Sequence, residues 1–273
     1  MRYYSPASLK EFFKISSQCP NGQKTFLAGG TDLMPCYEQG TPLPDHLIDL
    51  KHLRDLHSIS VTENTLIIGA LTTIQDLHDH PLIQGEFVAL YQATHEFAGA
   101  QIRHRGTIGG NICNASPAGD LLPPLYAFDA QLILTGPQAE RHLPIHEFIL
   151  GPGKTALLEN EILTSISLNR KRLRSQFQKV GLRQSMAISV VNLACTWEED
   201  EDGFSMLEIA AGAVAPTVLI LNAFTRAYLE NPKKLPKLLQ LIDEAIAPID
   251  DIRATANYRR MVLKNLIWAF LTK

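Results

Sequence analysis

Apolar and polar positions in the N-terminal part of the chain predict short strands interleaved with helices. Leu9 to Ile15 carries apolar residues at helical spacing, and Asp32 to Gln39 forms a second helical stretch after a glycine pair. Thr25 to Ala28 and His46 to Leu50 are apolar runs of strand length. This order of elements predicts a fold that mixes helices and strands from the start of the chain.

The same mixed pattern continues through the middle of the chain, with longer helical segments. Thr73 followed by Asp76 three residues later is typical of a helix N-cap. Further helices are predicted at Gly85 to Phe97 and Leu122 to Phe128, and strands near Ile59, at Leu66 to Ile68, at Gln131 to Leu134 and at Glu161 to Leu168.

A change of pattern near Ser175 predicts a second domain. Asn169 to Arg172 is a charged run that suits a surface linker. Beyond it, strands are predicted at Gln178 to Gly181, Ala187 to Trp197 and Ser205 to Val214, followed by helices at Asn222 to Leu229, Leu235 to Ile246 and Ala256 to Leu271. Strands grouped before helices predict an α+β domain.

The overall composition excludes several classes of function. Hydrophobic residues make up 45% of the 273 residues and charged residues 19%, which is typical of a globular protein, and the formal net charge of -3 does not favour nucleic acid as a partner. No apolar run reaches the ~18 residues of a membrane span. The N-terminus lacks the apolar stretch of a signal peptide. These features predict a cytoplasmic protein without membrane insertion.

The spacing of the cysteines argues against a metal centre built from this chain alone. Cys19, Cys36, Cys113 and Cys195 form no CxxC pair, so neither a zinc site nor an iron–sulfur cluster is predicted. No GxSxG nucleophile motif is present, and no catalytic residue is assigned. A redox role would therefore need a bound organic cofactor or the metals of a partner.

The first candidate binding segment is a strand that runs into two glycines and the start of a helix. It comprises Phe26, Leu27, Ala28, Gly29, Gly30, Thr31, Asp32 and Leu33. Glycine permits positive φ and lets backbone N–H groups approach a ligand, and a helix N-terminus favours an anion such as a pyrophosphate. Taken alone, the segment favours a tight turn with a good N-cap.

The second candidate segment also contains paired glycines and ends in a carboxylate. Thr107, Ile108, Gly109, Gly110 and Asn111 are followed by more small and polar residues as far as Asp120. Such a density of small and polar residues is poor material for a core but suits a backbone that wraps a polar ligand. Two segments of this kind in one chain favour a dinucleotide.

Two common phosphate-binding motifs are excluded. Gly151 to Thr155 resembles the end of a Walker A loop, but Phe148 stands where that motif needs its first glycine and Pro152 lacks an N–H group. No GxGxxG follows the first strand, so the Rossmann fingerprint is absent. The segment from Gly151 to Thr155 is therefore predicted to be a turn.

The two glycine segments, together with Ile68-Gly69-Ala70 and Asp251 to Arg260, resemble the FAD-binding (medium) subunits of molybdenum hydroxylases. This family includes the flavoproteins of xanthine dehydrogenase and carbon monoxide dehydrogenase, and the likeness covers nearly the whole chain. It implies an α+β fold. A PCMH-type FAD-binding domain would span residues 1–174, in two α/β subdomains at about 1–55 and 56–174. A smaller α+β C-terminal domain, a three-stranded antiparallel sheet with a helical bundle, would span 175–273.

The resemblance also implies roles for individual residues. Phe26 to Leu33 would wrap the FAD pyrophosphate, Thr107 to Asn111 would form the facing half of the cradle, and Asp120 would bind hydroxyl groups of the cofactor. Phe97 would pack against the isoalloxazine, Leu163 would line the pocket, and Lys179 would stand near the flavin and stabilise its reduced form. The simpler alternatives are core positions for Phe97 and Leu163, a solvated strand position for Lys179 and a helix N-cap for Asp120.

The resemblance finally implies non-covalently bound FAD and a place in a larger enzyme. A molybdopterin-binding large subunit would hydroxylate the substrate and a small subunit would carry 2Fe–2S clusters. This chain would pass their electrons through its flavin to NAD or another acceptor. A dimer of heterotrimers is the expected assembly. Two alternatives stay open: a flavin-free assembly scaffold with the same fold, and a free-standing flavin oxidase.

Overall fold

The first part of the chain folds as a three-stranded parallel sheet with one helix packed against it. The computed structural model describes residues 1–184, 186–201 and 203–272. The elements of this part are β1 (Arg2–Tyr4), α1 (Leu9–Gln18), β2 (Lys24–Leu27), α2 (Leu33–Glu38) and β3 (His46–Asp49). The strand order is β1-β3-β2, so β3 is central and pairs in parallel with both neighbours.

Capping residues and one aromatic side chain fix α1 on this sheet. The Ser8 hydroxyl accepts a hydrogen bond from the Glu11 backbone N–H at 3.2 Å, and the Glu11 carboxylate accepts one from the Ala7 N–H at 2.8 Å. Phe12, on the apolar face of the helix, is fully buried in a core cluster with Ile48. The helix therefore begins where its N–H groups find acceptors and is held by burial of Phe12.

The middle of the chain is built on a five-stranded antiparallel sheet. Its strands, with a separate short hairpin, are β4 (Ile59–Val61), β5 (Thr65–Gly69), β6 (Gln131–Thr135), β7 (Glu140–Pro144), β8 (Ile149–Gly151), β9 (Lys154–Thr155) and β10 (Ile162–Asn169). The sheet order is β4-β5-β10-β6-β7, and the hairpin of β8 and β9 contains the turn predicted at Gly151 to Thr155.

Short helices cover this sheet and bury the largest core of the molecule. They are α3 (Ile74–Asp79), α4 (Pro81–Glu86), α5 (Val88–Glu96), α6 (Ala100–Arg103), α7 (Ile108–Asn114), α8 (Leu122–Ala127) and α9 (Ile145–Phe148). The single helix predicted at Gly85 to Phe97 is wrong, because α4 and α5 are separated at Phe87. The Phe87 backbone leaves the helical region, with φ -117° and ψ 53°, and its buried ring packs edge-on against Phe128.

The last part of the chain is an antiparallel sheet covered on one face by helices. Its elements are β11 (Arg174–Gly181), β12 (Ser189–Asp200), β13 (Gly203–Gly212), β14 (Leu219–Ile220), α10 (Asn222–Glu230), α11 (Leu235–Ala245) and α12 (Ala256–Leu271). The predicted sheet of three strands is corrected to four, because Leu219 and Ile220 pair with Ala211 and Ala210 at the edge. Within the described ranges, no helix combines the length and apolarity that crossing a membrane requires.

The other face of this sheet docks onto the helices of the middle part. Phe177 and Ala194 are buried in the same core cluster as the sheet of strands β4 to β7 and β10. The Thr196 hydroxyl donates to the carbonyl of Ala127 at 3.0 Å, and the Gln92 side chain accepts from the Phe177 N–H at 2.7 Å. The C-terminal part is therefore held against the rest of the chain by buried apolar side chains and by hydrogen bonds across the contact between them.

A network around Asp251 secures the loop before α12. Its carboxylate accepts hydrogen bonds from the backbone N–H groups of Arg253 and Ala254 and from the guanidinium groups of Arg253 and Arg259. Burial alone would raise the pKa of Asp251, but these hydrogen bonds outweigh it and hold the pKa well below its usual range. The folded state therefore favours the ionised carboxylate.

An Asp251→Asn variant is expected to be less stable than the parent chain at neutral pH, with a difference that narrows as the pH falls below about 3.9. The pKa is lowered on folding, so this stability is fully present above the unfolded value of about 3.9. It is lost as the pH falls from there towards the folded pKa. Urea unfolding of both chains between pH 7 and pH 3, followed by tryptophan fluorescence, checks this. A difference that persists unchanged at the acid end would contradict it.

Candidate functional site

A cavity of ≈ 610 Å³ lies between the first and middle parts of the chain and contains both glycine segments. Its wall includes residues 26–33 and, among the other predicted residues, Phe97, Thr107, Gly109, Gly110, Asn111 and Leu163. This volume lies within the range of about 300–1,000 Å³ that is common for small-molecule and cofactor sites. The structure therefore brings together most of the residues that the sequence singled out.

The first glycine segment presents a row of unused backbone donors. β2 ends at Leu27 and α2 begins at Leu33, and the turn between them passes through Gly30 at φ +75°. Among the described residues, no protein acceptor is found for the backbone N–H groups of residues 29–33, while the next N–H, of Met34, donates to Gly30. Successive N–H groups of this kind form a concave anion site.

The second glycine segment uses its backbone donors within the protein. The N–H groups of Ile108 and Gly109 donate to the carbonyls of Thr72 and Ala70 at 3.1 Å and 2.8 Å. The Gly110 N–H donates to the Thr107 hydroxyl at 3.0 Å. The second segment offers a ligand the side chain of Asn111, because its Oδ1 atom is buried and has no partner within the described structure. A buried amide oxygen without a donor is costly unless a ligand supplies one.

Gly29 and Gly109 each lie so close to another part of the backbone that a side chain would not fit. A Cβ atom on Gly29 would lie 1.9 Å from the carbonyl oxygen of Arg105, just before the second segment. A Cβ atom on Gly109 would lie 2.6 Å from the carbonyl oxygen of Ala70. These distances are far below van der Waals contact, so the two segments approach each other as closely as they do because Gly29 has no side chain. In the same way, Gly109 lets the second segment lie against the backbone of Ala70.

The part of the cavity away from the glycine turn is apolar. Phe97, Ile102, Leu157, Leu163 and Ile188 all contribute to its wall. Sequence reasoning did not identify Ile102, Leu157 or Ile188, because they come from separate elements and no local pattern connects them. An apolar wall next to a row of N–H donors suits a ligand with an aromatic ring at one end and an anionic group further along.

The described residues of the wall offer little for acid–base chemistry. The titratable side chains among them are Asp32 and Cys113. Burial raises the pKa of the Cys113 thiol to about 12, so it stays protonated and is a poor nucleophile at neutral pH. Asp32 is an exposed residue at the glycine turn. The cavity is therefore suited to binding, and its apolar part, as described, has no carboxylate or imidazole to take a proton from an organic substrate.

Three of the predicted residues do not belong to the cavity wall as described. Ile108 is fully buried in the core of the middle part. Asp120 forms an ion pair of 2.8 Å with Lys179, and both side chains are nearly buried, at 9% and 6% exposure. The structure thus places Asp120 and Lys179 behind the wall, where the C-terminal sheet meets the rest of the chain. Lys179 is not the solvated strand residue that was its simpler alternative.

Two family models match this chain, one after the other. Residues 1–170 match the FAD binding domain in molybdopterin dehydrogenase, and residues 176–273 match the CO dehydrogenase flavoprotein C-terminal domain. Among known relatives, the xanthine dehydrogenase FAD-binding subunit of Escherichia coli O157:H7 is 30% identical, over 97% of this chain and 92% of its own length. The carbon monoxide dehydrogenase medium chain of Hydrogenophaga pseudoflava is 29% identical, over 97% and 93%.

The fold is also shared with a solved structure of this group. Carbon monoxide dehydrogenase from Hydrogenophaga pseudoflava, in a form that lacks the Mo-pyranopterin moiety of the molybdenum cofactor, contains a chain that superimposes with a TM-score of 0.92. The two chains are 28% identical, and the match covers 98% of this chain and 94% of the other. The predicted α+β class, with an FAD-binding domain followed by a flavoprotein C-terminal domain, is confirmed.

Proposed function

The chain belongs to the family of FAD-binding subunits of molybdopterin dehydrogenases, and from that premise we propose that it binds FAD in the cavity and relays electrons within a larger enzyme. The observation that carries the proposal is the row of unpaired N–H groups at residues 29–33, opposite the unpaired amide oxygen of Asn111. A bound flavin supplies the chemistry of accepting electrons one at a time and releasing them as a pair.

The cavity residues fit FAD in both their chemistry and their order. The N–H groups of residues 29–33 would hold the pyrophosphate, and the Asn111 side chain would accept a hydrogen bond from the cofactor. Phe97 and Leu163, on the apolar wall, would exclude water from the isoalloxazine. We propose that the FAD is bound non-covalently, through these contacts to its pyrophosphate and its isoalloxazine.

The hydroxylation of an organic substrate is assigned to partner subunits. The described wall of this cavity has one carboxylate, the exposed Asp32 at the glycine turn, and no histidine, and the four cysteines lack the spacing of cluster ligands. We therefore place the molybdopterin in a large partner subunit and the 2Fe–2S clusters in a small one, which agrees with the names of the relatives as FAD-binding subunits and medium chains. The proposed assembly is a dimer of such heterotrimers.

The two alternatives are disfavoured by particular features of the cavity. In a flavin-free scaffold the buried amide oxygen of Asn111 would stay without a donor, and that would lower the stability of the fold. A free-standing oxidase that relies on a base needs that group beside its substrate, whereas the one carboxylate of the described wall, Asp32, lies at the glycine turn and not on the apolar part.

The proposal predicts that the purified chain retains FAD after unbound cofactor is removed. We expect absorption maxima near ~370 and ~450 nm, and a thermal transition that rises with FAD concentration because only the folded state binds. FMN is the matched control ligand. It lacks the AMP half of FAD and so has one phosphate group in place of the pyrophosphate, and we expect it to bind at least about tenfold more weakly. If neither the chain nor its complex with partner subunits contains flavin, the proposal is wrong.

The electron acceptor is tested on the same complex. We propose NAD as the first candidate, because a two-electron carrier matches the pair of electrons that reduced flavin releases. The complex is reduced with its organic substrate under anaerobic conditions and then mixed with NAD⁺. Formation of NADH together with reoxidation of the flavin supports NAD. Reoxidation only by an artificial dye or a quinone would assign another acceptor.

A further inference from the structure

Lys179 uses its whole ammonium group within the protein. Its Nζ donates to the backbone carbonyl of Glu96 at 2.7 Å, to Oδ2 of Asp120 at 2.8 Å and to the backbone carbonyl of Ala187 at 3.2 Å. A lysine ammonium has three protons, so these acceptors account for all of them. The side chain is 6% exposed. Lys179 therefore has no donor left for a ligand in this arrangement.

The Asp120 carboxylate is also bonded within the protein. Besides Lys179, its carboxylate accepts hydrogen bonds from the hydroxyl of Ser189 at 2.6 Å and from the amide of Asn192 at 3.1 Å. Lys179 lies in β11, Ser189 and Asn192 lie in β12, and Asp120 lies just before α8. The ion pair therefore joins the C-terminal sheet to the end of the second glycine segment. The opposite charges of the pair largely cancel, which weakens any field that either residue exerts on a neighbouring ligand.

Three residues bound by this pair are direct neighbours of residues of the cavity wall. Glu96, whose carbonyl binds Lys179, directly precedes Phe97. Ala187 and Ser189, which bind Lys179 and Asp120 respectively, directly flank Ile188. Among the described wall residues, Ile188 alone comes from beyond residue 175. The ion pair thus connects a wall residue of the first domain to one of the second.

We propose that Lys179 and Asp120 are positioning residues that clamp Phe97 and Ile188 onto the same cavity, so that flavin affinity depends on docking of the C-terminal domain. This inference rests on the proposed FAD site. It differs from the role expected from sequence resemblance, in which Lys179 acts on the reduced flavin through its charge. In the clamp, the number and direction of the hydrogen bonds matter, and the charge of the lysine is already balanced by Asp120.

Two substitutions of the same residue distinguish a clamp from a charge. Lys179→Met removes the charge and the hydrogen bonds, while Lys179→Arg keeps the charge but has a planar group that cannot direct three donors as an ammonium does. The clamp predicts that both variants of the full chain bind oxidised FAD about tenfold or more weakly, since wall residues that are no longer held must be ordered by the ligand. A charge role predicts that Lys179→Arg binds like the parent chain.

A second readout separates positioning from a general loss of stability. If Phe97 and Ile188 are no longer held, the flavin that does bind has weaker quenching of its fluorescence and an altered visible circular dichroism. Arg170→Met is the matched control. It removes a partly buried ion pair with Glu86 and bonds to the carbonyls of Thr62 and Glu63, outside the described wall. We expect it to lower the thermal transition while leaving FAD affinity and the flavin spectra unchanged.

The outcomes are distinct from those that test the FAD site itself. If the parent chain and its complex bind no FAD, the proposed function fails. If the parent binds FAD and both Lys179 variants match the Arg170→Met control, the clamp is overturned. Should the Lys179 variants not fold, Ser189→Ala replaces them, because it removes a single donor to Asp120 next to Ile188. A drop in FAD affinity of about threefold supports the clamp, and an unchanged affinity overturns it.

Discussion

Replacing Gly29 by alanine is expected to abolish FAD binding and to destabilise the N-terminal half of the chain. The added Cβ atom would lie 1.9 Å from the carbonyl oxygen of Arg105 and 2.7 Å from its carbonyl carbon. Backbone cannot turn aside as a flexible side chain can, so the loop before the second glycine segment must move. We expect FAD affinity to fall by about a hundredfold or more and the free energy of unfolding by about 1–3 kcal/mol, the usual range for overpacking.

Gly85→Ala is the matched control for this substitution. Gly85 lies on the exposed side of α4, and a Cβ atom built there meets nothing within 4 Å. Alanine favours a helix over glycine, so this variant should be as stable as the parent or up to about 1 kcal/mol more stable. FAD titration by fluorescence and urea unfolding are measured for both variants. If Gly29→Ala binds FAD as the parent does, the close approach of the two segments is not what forms the site.

The example of Gly29 shows what sequence patterns reveal about a site and what they leave out. The paired glycines were found from local sequence, and the freedom of glycine to take positive φ correctly anticipates Gly30 at +75°. The same reasoning assigned the remaining glycines to contact with a ligand. Gly29 and Gly109 instead allow one segment of the protein to approach another, which depends on residues far along the chain.

The strands and helices were predictable to the extent that they are long. β12 and β13 were found because each is a long segment rich in apolar residues, whereas β1 and β14 have three and two residues and thus carry no pattern of their own. The break at Phe87 was missed for a related reason. Its apolar side chain fits a helical pattern equally well on either side of a kink, and only tertiary packing decides the backbone.

Cavity-wall residues that come from distant elements could not be predicted from local sequence patterns. Ile188 joins the cavity only because β11 and β12 dock against α5 and α8, and that docking depends on the whole core. For Asp120 and Lys179, family resemblance pointed to the correct region of the molecule. Their contacts, however, are chiefly with each other and with neighbouring backbone. Their role in holding the wall is thus an inference that needs three-dimensional contacts.

The run from Asp251 to Arg260 gave a family likeness in the sequence, and its contacts predict a large effect for one of its arginines. Arg259 is 2% exposed, and its guanidinium donates to the carbonyls of Val190 and Ala213 and to Asp251. It therefore ties α12 to β12, two residues beyond Ile188 on the cavity wall. Removing the Arg259 side chain takes this charged donor away from both carbonyls.

An Arg259→Met variant is expected to lose about 3–5 kcal/mol of unfolding free energy, the range for breaking a buried ion pair, because it removes one of the two cations on Asp251 together with the bonds to the carbonyls of Val190 and Ala213. Arg260→Met is the adjacent control. Arg260 is half-exposed and its ion pair with Asp243 is 3.8 Å long, so its loss should cost at most about 1 kcal/mol. Trp197 and Trp268 both lie in the C-terminal part, so tryptophan fluorescence during urea unfolding reports on it directly. Equal losses for the two variants would show that Arg259 does not tie α12 to the sheet. A larger loss for Arg259→Met, accompanied by weaker FAD binding, would link docking of this domain to the cofactor site.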